Sequence, residues 1–62
     1  MAVFEVVYVD GRADEQVRAD WVERQGRFVA LMTTCVVVNR PRDVVALRVP
    51  LSELRALRRL PG

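Results

Sequence analysis

The chain has no histidine, no lysine and no isoleucine, one cysteine (Cys35), and only four aromatic side chains, Phe4, Tyr8, Trp21 and Phe28. Each shortage removes a class of protein. A single thiol excludes an internal disulfide, and without histidine or a second cysteine the usual zinc ligand sets are missing. General acid–base catalysis near neutral pH would have to rest on carboxylates, Tyr8 or Cys35, and Cys35 has no imidazole to activate it. The three glycines, Gly11, Gly26 and Gly62, are isolated, so no glycine-rich phosphate loop exists. Asp10, Asp14, Glu15 and Asp20 lack the alternate spacing of a calcium loop and read as a solvated turn. No segment reaches the roughly 18 apolar residues of a membrane span. The residues therefore predict no enzyme, no catalytic residue, no cofactor and no metal.

Sixty-two residues make one small domain, residues 1–62. Such a domain buries only about 60% of the surface that its unfolded chain exposes. Scaffolds this small usually need a disulfide, a metal or a partner. With the first two excluded, association is the remaining support.

What the chain does have is an uncharged run from Phe28 to Val38. A half-exposed strand alternates apolar and polar residues, whereas a strand covered on both faces is apolar throughout. So short a chain has little of its own to cover two faces, and the run predicts burial against another chain. It reads either as one long strand or as two strands meeting at Thr33-Thr34.

Around that run the pattern is β. Val3–Val9 is β-branched and aromatic, with Phe4, Val6 and Tyr8 on one face. Asp10-Gly11 signals a hairpin turn, and Gln16–Glu23 reads as a returning strand. Gln25-Gly26-Arg27 is a second turn, Asn39–Asp43 a polar loop and Val44–Val49 a further strand. Cys35 reads as a small buried hydrophobe and Ser52 as a helix N-cap. Leu51, Leu54, Leu57 and Leu60, spaced by three, suit one face of a helix. A helical turn at Pro50–Glu53 followed by a strand from Leu54 to Leu60 is the competing reading. The expected fold is mainly β: an antiparallel meander of four or five strands curled toward a small open barrel, with a short C-terminal helix.

Charge is divided along the chain. Residues 1–26 carry six acids against three arginines, and residues 27–62 carry seven arginines against two acids. Arg40, Arg42, Arg55, Arg58 and Arg59 are the candidate contacts if the partner is a nucleic acid, which small barrels bind with basic grooves and stacking aromatics. Here the four aromatics all precede those five arginines, so patch and stacking platform do not interleave in sequence. A protein partner, either a second copy or a larger complex, is the favoured reading. Its candidate interface comprises Trp21, Phe28, Leu31, Val36, Val37 and Val38. Trp21 is open to two readings, a core plug or an interface anchor.

Four segments, Tyr8-Val9-Asp10-Gly11, Ala19-Asp20-Trp21-Val22-Glu23, Gly26-Arg27-Phe28-Val29 and Val44-Val45-Ala46-Leu47-Arg48-Val49-Pro50-Leu51, resemble small strand-rich proteins of high-GC bacteria and their phages. The preference for arginine over lysine and valine over isoleucine agrees with GC-rich codons. The Pro50-Leu51 step is similar to the last turn of SH3-like and Sm-like barrels. Neither resemblance brings a site residue with it. The lone cysteine and the lack of a visible targeting signal predict the cytoplasm of a bacterium or infected host, or a virion if the chain is phage-encoded.

Overall fold

The computed structural model describes residues 2–61. Six strands follow one another: β1 (Ala2–Tyr8), β2 (Glu15–Ala19), β3 (Trp21–Gln25), β4 (Phe28–Val37), β5 (Arg40–Pro50) and β6 (Leu54–Leu60), with a 3₁₀ turn at Leu51–Glu53 before the last. They form two antiparallel three-stranded sheets, ordered β2-β1-β6 and β3-β4-β5, and no closed barrel.

The alternation in β1 sets the core. Phe4, Val6 and Tyr8 point inward and meet Ala19, Leu31 and Val49 from the other strands, with Val17, Val22, Val29, Leu47, Leu54 and Leu57 packed around them. Leu31 and Val6 are the largest side chains wholly withdrawn from solvent. Full burial of one such side chain stabilises the fold by about 1.5–3 kcal/mol. Tyr8 keeps its hydroxyl satisfied by donating to Glu15 Oε1 at 2.6 Å.

The expected strand Gln16–Glu23 is two strands, because Asp20 carries the chain from one sheet to the other. Its N–H donates to the Met32 carbonyl at 2.7 Å, and its carboxylate accepts from the Thr33 hydroxyl and the Thr34 N–H, both at 3.0 Å. Alternation changes phase at this step: Val17 and Ala19 face the core before it and Val22 after it. The fold has six strands rather than the expected four or five, and it is not a meander, since β6 returns to pair with β1.

The C-terminal helix is absent; Leu54–Leu60 is a strand. The central strand β1 needs a partner on its second edge, and β6 supplies one from Val3↔Leu60 to Tyr8↔Leu54. Pairing and burial override helix propensity here. The spacing of three that imitates a helix has a local cause. The register shifts at Val7/Tyr8, so that Arg55 is a bulge residue. One extra residue restores Leu54 and Leu57 to the same face. Ser52 caps nothing: it lies inside the 3₁₀ turn, which Pro50 precedes without a side-chain cap.

The uncharged run is a single strand, β4, with its pairing to β5 continuous through Thr33-Thr34. The polar loop expected at Asn39–Asp43 shrinks to the two residues Val38 and Asn39. Both have positive φ, 50° and 61°, as a type I′ hairpin turn requires. Arg40 and Pro41 are already strand. In antiparallel pairs hydrogen-bonded and open positions alternate. A two-residue turn closes on Val37↔Arg40, so Pro41 falls at an open position and loses no ladder bond. Asp10-Gly11 likewise opens a longer connection, residues 9–14, in which Gly11 takes φ 80°.

Val38 is a β-branched residue in the left-handed region, at a cost of roughly 1–2 kcal/mol. Asparagine tolerates that region. Val38→Asn is expected to raise the thermal midpoint by about 4–8 °C per kcal/mol recovered, measured by dilute thermal denaturation. An unchanged or lower midpoint would show that the turn is not strained as described.

Candidate interaction site: the projecting β4–β5 ribbon

β3 pairs with β4 only from Gln25↔Phe28 to Trp21↔Met32, whereas β4 and β5 stay paired to Val37↔Arg40. The two strands therefore continue past the body of the domain as a two-stranded ribbon, Thr33–Val45, in a molecule of 41 × 29 × 15 Å. This divides the uncharged run into two halves with different environments.

In the first half, Ala30, Leu31 and Met32 are buried in succession, the signature of a strand covered on both faces. Leu31 enters the core. On the opposite face Met32 stands beside Trp21, and Ala30 lies between Glu23 and Arg48 in the register. A chain of polar contacts crosses this face. The Trp21 indole N–H donates to Glu23 Oε2 at 3.1 Å, and the Gln25 amide donates to Glu23 Oε1 at 2.8 Å. Arg48 donates to Gln25 Oε1 at 2.9 Å, with its guanidinium 5.9 Å from the Phe28 ring centroid. The domain covers this half with its own side chains. Trp21 is half-buried there rather than a core plug, and Leu31, fully buried, is withdrawn from any contact surface.

In the second half the cover is missing. Val36 is 72% and Val38 88% exposed, with Val37, Val44 and Val45 also exposed. Cys35 is exposed too, contrary to the expected buried thiol, because the core ends at Met32. Cross-strand partners share a face. One face of the ribbon presents Thr33, Cys35 and Val37 beside Val44, Arg42 and Arg40, and the other Met32, Thr34 and Val36 beside Val45, Asp43 and Pro41. Exposure of Val44 and Val45 was not legible from the sequence, where they read as an ordinary strand. The bulge at Leu31/Met32 that turns β5 outward leaves no clear mark in it.

The candidate arginines are not gathered. Arg40 and Arg42 lie on the ribbon, while Arg55, Arg58 and Arg59 belong to β6 in the other sheet. Adjacent residues of a strand point to opposite faces. Arg58 faces outward and bonds Glu5 Oε1 at 2.5 Å, while Arg59 stands opposite Phe4. Arg40, Arg42, Arg55 and Arg59 have no ion pair among the described residues. Arg12 is spent elsewhere, joining Asp10 at 2.7 Å and Glu53 at 2.6 Å and lying 4.2 Å above the Tyr8 ring. Among the described residues no three metal-ligating side chains converge, and no helix is long and apolar enough to cross a membrane.

Hydrogen bonding sets the titration of the surface acids. The Thr34 N–H and the Thr33 hydroxyl hold Asp20 below its ordinary value, Gln25 and Trp21 do the same for Glu23, and Arg12 for Asp10. A carboxylate depressed in the folded state contributes stability above its unfolded value and loses it as pH falls through its folded value. Tyr8 is raised, first by its hydrogen bond to Glu15 and then by burial. Its contribution is present below the unfolded value and lost as pH rises through the folded one. Urea midpoints are expected to form a plateau bounded by a fall below about pH 4 and another above about pH 10. Asp20→Asn should flatten the acid limb; an unchanged acid limb would contradict the Asp20 contacts.

Compared with protein-family models, with curated proteins and with solved structures, the chain matches none.

Proposed function

We propose that the protein is a non-enzymatic interaction module that associates with a second copy of itself, or docks on a larger complex, through the β4–β5 ribbon. The observation that carries this reading is the stretch Val36-Val37-Val38, exposed beyond the core together with Val44 and Val45. A monomer of this size gains nothing from projecting five valines into water, since burying apolar surface is its main source of stability. If the chain is phage-encoded, the larger partner would be a phage assembly or a host factor.

The nucleic-acid reading has one supporting feature, the unpaired Arg40 and Arg42 on the ribbon, but Arg58 is engaged by Glu5, and Arg55 and Arg59 lie with it in the second sheet.

Two measurements test the proposal. Binding that favours the folded oligomer makes the thermal midpoint depend on concentration. The midpoint is expected to rise between about 1 and 100 µM chain, and a constant one would count against self-association. Labelled DNA and RNA are expected to bind no tighter than the ~10⁻⁴–10⁻⁶ M of non-specific contacts near 150 mM salt. Submicromolar binding lost in R40A/R42A would replace the protein-binding reading with the nucleic-acid one.

A further inference from the structure

The ribbon has two edges, and they differ. The outer edge of β5 carries Arg40, Pro41, Arg42, Asp43, Arg48 and Pro50, and charge and proline are the devices that keep edge strands from pairing. The edge of β4 beyond β3 carries Thr34, Cys35, Val36, Val37 and Val38, with neither charge nor proline. Its backbone direction follows from Asp20. The Met32 carbonyl and the Thr34 N–H both point toward the β3 side, where Asp20 engages them. Backbone groups alternate sides along a strand. The Val36 N–H and C=O therefore point to the same side, past the reach of β3, with no strand to meet them among the described residues.

We infer that the occupant of this edge is a second copy of the chain, paired antiparallel through β4 about a two-fold axis at Val36, so that the Val36 N–H of each copy donates to the Val36 carbonyl of the other. This rests on the self-association reading and specifies its geometry. An isologous contact places the same surface on both sides and must be self-complementary. An uncharged edge meets itself without repulsion, whereas β5 paired with β5 would bring arginines together. The register sets Val37 of one copy opposite Cys35 of the other, inside β4, and leaves the Thr34 N–H with Asp20.

Val36→Pro tests the pairing. It removes the N–H that faces the open edge, keeps the side chain apolar and leaves the β5 ladder intact. Val45→Glu adds charge to the ribbon face without touching the β4 edge. By sedimentation, V36P is expected to associate at least tenfold more weakly than the parent, with V45E much less affected. A V36P protein that associates like the parent while V45E is monomeric would overturn the edge pairing and leave self-association standing. A monomeric parent would overturn both. Should V36P fail to fold, amide exchange of the parent decides. The Val36 N–H is expected to be protected at least tenfold in the associated state and to lose this on dilution, and rapid exchange in an associated parent would overturn the pairing.

Discussion

Leu31→Ala is expected to leave the protein largely unfolded at room temperature. Leu31 is fully buried, at the point where the two sheets meet around Phe4, Val6, Tyr8, Ala19 and Val49. Removing a buried leucine side chain costs about 2–5 kcal/mol, because the surroundings close only partly over the cavity. A chain of 62 residues has a total stability of roughly 3–9 kcal/mol at about 0.05–0.15 kcal/mol per residue. The loss is therefore comparable with the whole. Urea denaturation followed by Trp21 fluorescence should show a midpoint reduced by half or more, or no folded baseline. A loss below about 1 kcal/mol, the size typical of sites outside a core, would contradict the packing described.

Val37→Glu is expected to have the opposite profile: little effect on the isolated domain and a large one on association. Val37 lies on the ribbon beyond the core and is about half exposed, so its replacement removes few intrachain contacts. In the dimer centred on Val36, however, the two new carboxylates become diagonal neighbours about 7–8 Å apart, on an edge otherwise free of charge. Charge on an edge strand is a device against pairing. Association should weaken by tenfold or more while the dilute thermal midpoint stays within a few degrees. Unchanged association together with an unchanged midpoint would remove Val37 from the interface.

These two variants mark the boundary that the sequence did not show. The alternation Phe4, Val6, Tyr8 was legible, and so were the turn at Gly26 and the β character of the uncharged run. The run's meaning was half legible. It predicts two covered faces, yet only Ala30, Leu31 and Met32 have them, and their outer cover comes from Trp21, Gln25 and Arg48, residues far apart in sequence. Where β3 begins depends on Asp20, which reads as one more polar position in an alternating strand until its carboxylate is seen on Thr33 and Thr34. The C-terminal segment misleads for a different reason. Strand period two plus one bulge at Arg55 reproduces the helical spacing of Leu54 and Leu57, and no local signal separates the two. Val38-Asn39 escaped notice because the type I′ turn there has valine where glycine or asparagine is usual.

Sedimentation equilibrium of the unmodified chain, at concentrations bracketing about 10 µM, tests self-association through the ribbon, since mass action makes any self-association concentration-dependent. The mass is expected to rise from that of the 7.1 kDa chain toward twice that value. A mass that stays at 7.1 kDa across the whole range would contradict self-association.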